Sequence, residues 1–206
     1  MKSAWIVGIA LAAGAALQGK VPDEEPEVTV YVESDGPFPG IVVMAQARKT
    51  ATAMFAGIGV RLGWAAEGEG GGEAAGIALH LRITERPQAG LADSVVGYAH
   101  TQAGGTKAVV ILWDRLRAHC QDPPGLLPVL LAHIMSHEIG HVLEGVTRHS
   151  STGVMKARWT WEDYRKMLWH PLPFTDYDAA LIRLGRGAGP ISANLNIAFV
   201  LGPPYA

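Results

Sequence analysis

The segment His137-Glu138-Ile139-Gly140-His141 decides how the rest of this 206-residue chain is read. On an α-helix, residues four apart lie about 40° apart around the axis, so both imidazoles leave the same face. That spacing lets two ring nitrogens reach one metal ion at about 2.0–2.1 Å each. Glu138 points to the side of that face, where its carboxylate can take a proton from water without itself occupying the metal. Around it, Leu126, Leu127, Val129, Leu130, Ile134, Met135, Ile139, Val142 and Leu143 cover most of the helix circumference. A helix buried inside a domain is expected, with Gly145 as its stop.

The continuation is equally informative. It runs Val142-Leu143-Glu144-Gly145-Val146-Thr147-Arg148-His149, then Ser151-Thr152-Gly153-Val154-Met155. One helix presents two ligands to a metal comfortably, and a glycine that ends it lets the chain turn back with a third histidine. The stretch resembles the metzincin metallopeptidases, whose pattern is HExxHxxGxxH followed by a methionine-containing turn. The resemblance implies zinc ligands at His137, His141 and His149, a general base and acid at Glu138, and the turn methionine at Met155. The family spacing places its glycine and third histidine where this chain has Glu144 and Thr147, so Gly145 comes one residue late and His149 two. Two other third ligands stay open: Glu144, one turn beyond His141, and Glu162, by resemblance to gluzincins, which take a glutamate from a later helix. The methionine that follows His149 and the affinity of imidazole for zinc favour His149.

Composition bounds the remaining possibilities. With 49% hydrophobic residues and a formal net charge of −2, the chain can build one substantial core. It has no basic patch that would argue for nucleic acid and no acidic run that would argue for disorder. Residues 1–19 read as a secretory signal, with Lys2 ahead of a short apolar run and small residues at Ala13-Gly14-Ala15; the run is too short for a comfortable membrane span. A secreted or periplasmic protein is expected, with no stable membrane span once the signal is cleaved. Residues 20–26 read as a linker, 27–187 as the zinc metallopeptidase domain and 188–206 as a C-terminal tail. The single cysteine, Cys120, cannot form an internal disulfide and reads as structural.

Strand signals fall at Glu27–Glu33, Ile58–Trp64, Ala78–Thr84 and Val95–His100, and Lys107–Trp113 reads as a central strand. Ile41–Ala56 has helical composition, and residues 67–73, glycine and glutamate only, form an excursion without a phosphate-loop signature. The order of elements resembles the N-terminal half of compact metzincins. That resemblance implies that Val95–His100 lies at the sheet edge and pairs with an extended substrate. Further on, Thr160 and Asp163 predict a capped helix through Leu168, and Thr175 caps a last helix, Asp176–Leu184, with Gly185 and Gly187 after it. Ala157 stands where some metzincins carry a tyrosine that assists the oxyanion.

Of the other histidines, His133 lacks an adjacent glutamate, His80 and His100 read as half-exposed or surface strand residues, and His119 and His170 as solvated. No GxSxG elbow signals a serine nucleophile. The expected fold is α/β (α+β): a metzincin-like single domain with a mixed twisted sheet, a backing helix, an active-site helix, a Met-turn and C-terminal helices. The resemblance implies a secreted zinc-dependent endopeptidase acting on peptide or protein substrates. The alternatives are an exported, catalytically silent, metal-stabilised peptide-binding module and a gluzincin-type peptidase using Glu162.

Overall fold

Alternation in the strands sets the layers. In β1 (Val28–Ser34), Val28, Val30 and Val32 are buried while Thr29, Tyr31 and Glu33 are partly exposed. In β3 (Ile77–Thr84), Leu79, Leu81 and Ile83 are buried while His80 and Arg82 face outward. Such period-two burial means that helices cover one face of the sheet only. The other face carries polar contacts, among them the ion pair between Arg82 and Glu33 and the stacking of Tyr31 on His80.

The molecule is described by a computed structural model over residues 27–36, 39–66, 76–101, 106–120, 125–187 and 196–200. The proposed signal and linker, the glycine–glutamate excursion and most of the C-terminal tail lie outside those residues. Among the described residues six strands form one mixed sheet in the order β2-β1-β3-β5-β4-β6. β2 (Leu62–Ala66), β1, β3 and β5 (Lys107–Leu112) are mutually parallel. β4 (Val95–Thr101) runs antiparallel to β5, and β6 (Asn196–Val200) antiparallel to β4. The mixed α/β fold expected from the sequence is therefore the observed one.

α1 (Ile41–Ala56) makes the crossover from β1 to β2 and buries Met44, Ala47, Ala51, Met54 and Phe55, one helical face. β2 starts later than Ile58, the expected first residue. The amides of Ile58 and Val60 both bond to the Phe55 carbonyl, and Gly59 takes φ +74°, so a turn uses up the residues before Leu62. The chain after β5 also differs from expectation: Trp113 opens a helix, α2 (Trp113–His119), instead of ending the strand.

α3 (Leu126–Glu144) is long and apolar enough to cross a membrane by composition, but it is almost wholly buried, between the sheet, α1 and later helices. Gly145 takes the left-handed conformation (φ 68°) as its C-cap, and its amide bonds back to His141. α4 (Trp161–Met167) starts at the Thr160–Asp163 capping box foreseen in the sequence. α5 (Asp176–Gly187) continues through Gly185 rather than ending before it. The reason is packing: a Cβ on Gly185 would lie 1.9 Å from the Leu143 carbonyl oxygen, so only glycine lets α5 approach the end of α3 this closely.

β6 was not expected at all. Its presence corrects the placing of Val95–His100 at the sheet edge, because β4 lies between β5 and β6. The apolar run at Ile197–Leu201 is too short and isolated for a local pattern to reveal its partner.

Candidate metal centre

His137 and His141 occupy successive turns of α3, both buried, with ring centroids 4.6 Å apart. The Nε2 atom of His141 lies 3.0 Å from Nε2 of His137 and 3.3 Å from Nε2 of His149. One ligand atom from each of the three histidines falls within 4.8 Å of the others; among the described residues this is the one such histidine, cysteine or carboxylate group.

The protonation states follow from the other ring nitrogens. Nδ1 of His137 is 2.8 Å from the Val154 carbonyl, and Nδ1 of His141 is 3.3 Å from the Val146 carbonyl. A carbonyl only accepts, so each Nδ1 carries the proton and each Nε2 presents a lone pair. Burial, reinforced by the neighbouring histidines, holds His137 well below the usual imidazole range and His141 down at about 4. Burial also lowers His149. His137 and His141 thus aim Nε2 lone pairs toward the point that Nε2 of His149 also approaches, a crowded arrangement of nitrogens that a cation relieves. Two nitrogens at about 2.0–2.1 Å from one tetrahedral ion are about 3.3 Å apart, close to the spacing found. The donor set fits a divalent metal such as zinc.

The floor of the site is built by the turn after His149. Gly153 takes φ +75°, and a Cβ there would come 2.3 Å from the Pro173 carbonyl oxygen, so the turn is restricted to glycine twice over. The Val154 amide bonds to that same carbonyl, and the Ser150 amide bonds to Met155 O at 2.8 Å. Met155 is fully buried, with its sulfur against Gly140, the residue before His141. The Val154 carbonyl does electronic as well as structural service. It accepts both His137 Nδ1–H and the indole N–H of Trp159 (3.2 Å), fixing ring and tautomer together.

Glu138 is fully buried beside the group, and neither carboxylate oxygen has a hydrogen-bond partner. The backbone of Ala99 on β4 is the polar group that faces it; burial outweighs that contact and pushes the carboxyl well above its ordinary range. A buried carboxyl with unmet acceptors next to converging imidazoles is costly in a protein interior and calls for more than a packing role.

The two rival ligands stand elsewhere. Glu162 is on the exposed face of α4, paired with Lys166 at 2.8 Å. Glu144 is buried but turned toward Arg148 and Asp178, with burial and Asp178 raising its pKa to about 8. His133 is a buried structural residue whose ring nitrogens meet the Val129 carbonyl at 2.7 Å and the Leu172 amide at 2.9 Å. His119, expected to be solvated, is instead half-buried with its ring edge-on to Tyr164. Burial pushes the Cys120 thiol up to about 12, as suits an inert residue.

Three features of the site had no side-chain signature in the sequence: the Val154 carbonyl, the Trp159 indole that shares it, and Asp178, which accepts from both Arg148 and Ser150. The sequence marked only Thr175, the cap of the last helix, whose amide and hydroxyl bond to Asp178.

No family model matches the chain, and no curated protein matches it in sequence. In fold, the chain is similar to the crystal structure of archaemetzincin from Methanopyrus kandleri, with a TM-score of 0.55 over 82% of this chain and 99% of that one. At 14% identity the likeness speaks for the fold, and the fold is archaemetzincin-like.

Proposed function

We propose that this chain is a zinc-dependent peptidase of metzincin type, with His137, His141 and His149 as metal ligands and Glu138 as general base and acid. The observation that carries the reading is the convergence of three imidazole Nε2 atoms beside an unpartnered buried carboxylate. When bound, zinc supplies Lewis acidity, lowering the pKa of water and polarising a carbonyl. Glu138 takes a proton from the attacking water and returns it to the leaving amine, and the burial that raises its pKa favours that return. Val154 and Val146 hold two imidazoles with Nε2 free to ligate, while Met155 and Gly140 set the floor beneath them. The archaemetzincin-like fold supports this reading, and so does the order of the motif along α3 and the following turn.

The proposed substrate is a peptide or protein cut internally, and the proposed location is secreted or periplasmic. The location rests on the signal-like composition of residues 1–19 alone. A second reading, a metal-stabilised module without turnover, draws on one observation: β6 covers the strand along which a substrate would pair.

Metal analysis of the purified chain beside His149→Ala and Glu138→Gln separates these readings. About one zinc per chain is expected in the wild type and in Glu138→Gln, and much less in His149→Ala. Peptide hydrolysis should fall by roughly 10²–10⁴ in Glu138→Gln. Zinc retained in His149→Ala would sink the ligand set. Zinc bound with no cleavage of a broad peptide library, by the wild type and by Phe199→Ala in β6 alike, would favour the silent module.

A further inference from the structure

β6 pairs antiparallel with β4, the strand that the metzincin resemblance assigns to an extended substrate. Its register against β4 pairs Val200 with Val95, Phe199 with Gly97, Ala198 with Tyr98, Ile197 with Ala99 and Asn196 with His100. Ala99, the register partner of Ile197, is also the residue whose backbone faces Glu138.

Phe199 is the anchor. It is fully buried, with its ring centroid 4.5 Å from that of His137 and 4.4 Å from that of Trp159. Gly97, its partner on β4, has no room for a side chain: a Cβ there would come 2.8 Å from the side chain of Ile134 on α3. A candidate metal ligand and an indole together flank a slot of aromatic size. Meanwhile, among the described residues, β6 has β4 as its one strand neighbour, and the ladder between them is irregular at Val95/Gly97. A single imperfect ladder and one aromatic anchor are the kind of attachment that opens locally before the rest of a fold does.

We propose that Asn196–Val200 is an own-chain ligand of the peptide groove, with Phe199 filling its aromatic slot, and that extended peptides carrying an aromatic residue in the same register compete with it. The inference deepens the peptidase reading, since it takes the β4 edge over the metal centre as the groove. It makes the full chain self-restrained and assigns the groove a preference for an aromatic side chain two residues from the point where the bound strand meets Ala99.

The test uses the zinc-loaded full chain and a fluorescent Asn-Ile-Ala-Phe-Val peptide, followed by polarisation. Phe199→Ala should bind this peptide at least about tenfold more tightly than the wild type, and the peptide with alanine in place of phenylalanine should lose that gain. Equal binding by the two proteins overturns the proposal. A second variant works in the opposite direction: Tyr98→Cys with Ala198→Cys joins register partners across β4 and β6. Its oxidised form should bind the peptide at least about tenfold more weakly than its reduced form, and no difference between the two would also overturn the proposal. Zinc content and hydrolysis are read separately. Peptide capture by Phe199→Ala without cleavage of any peptide keeps this inference and removes the peptidase reading.

Discussion

The guanidinium of Arg148 reaches the fully buried carboxylate of Asp178, on the first turn of α5, and the Ser150 hydroxyl bonds to the same oxygen at 2.6 Å. Arg148 and Ser150 are the residues on either side of His149. The other Asp178 oxygen accepts from the Thr175 amide (2.9 Å) and hydroxyl (2.7 Å) as the cap of α5. One carboxylate therefore ties the third candidate ligand to the start of a helix. Here lies a physical reason why a loop two residues longer than the metzincin pattern still delivers His149 to His141.

Removing that tie should be felt at the metal. Asp178→Ala is expected to weaken zinc binding by about 10–100-fold, the usual effect of losing a partner behind the ligands. It should also cost on the order of 3–5 kcal/mol, because Arg148 is left without its buried counter-charge. Asp178→Asn, which keeps the cap geometry but not the charge, should recover only the part of the stability that the cap of α5 contributes. Chelator competition and thermal melting measure the two effects. Zinc affinity unchanged in Asp178→Ala would show that the loop holds His149 without help.

Glycine substitutions should separate rigid from yielding neighbours. An alanine Cβ at Gly185 meets the Leu143 backbone oxygen at 1.9 Å, and backbone cannot turn aside. A loss on the order of 3 kcal/mol is expected for Gly185→Ala. At Gly140 the nearest atom is the Met155 sulfur at 2.7 Å, the end of a flexible side chain, with Phe174 at 3.3 Å. Gly140→Ala should cost about 1 kcal/mol, since thioethers repack readily. Denaturant melts of the two variants would decide, and a reversed order would contradict the geometry.

The metal-free protein should lose stability in acid, and His133 contributes a defined part of that loss. Burial lowers its pKa from 6.5 to about 4, so the folded state resists a proton that the unfolded chain accepts. Stability is whole above pH 6.5 and drains away as pH falls toward about 4, by roughly 3 kcal/mol from this residue. In His133→Gln the acid limb should be shallower, although stability at pH 7 will be lower because the contacts to Val129 and Leu172 are disturbed. Melting temperatures between pH 4 and 7.5 test the slope.

Glu144 acts on the alkaline side. Its pKa is raised to about 8 by burial and by Asp178, so its contribution is intact below about pH 4.5 and is lost as pH rises through about 8. Glu144→Gln keeps the shape and removes the proton to be lost. It should melt above the wild type at pH 9, with the difference shrinking toward pH 5. A constant difference across that range would show that Glu144 does not titrate there.

The local signals read well where they were complete within a few turns. The helical pattern of α1 gave its observed limits, Ile41–Ala56, and the caps at Thr160 and Gly145 stand where their chemistry placed them. Gly185 looked like a helix end because glycine is a poor helix former, yet close packing on Leu143 gives it a place inside α5. Trp113 looked like the end of an apolar strand and instead opens α2.

What the sequence determined by itself was the α3 face. A period of 3.6 residues places His137 and His141 together with Glu138 beside them, whatever the rest of the chain does. It also determined the turn through Gly153 and Met155 and the α/β pattern of strands and helices. Tertiary structure decided what no local period carries. The reach of His149 depends on Asp178, about thirty residues on, and the covering of β4 depends on a strand almost a hundred residues later. Such contacts are chosen by the whole chain's competition for buried surface and hydrogen-bond partners, so their energy appears only once the fold has brought the two sides together.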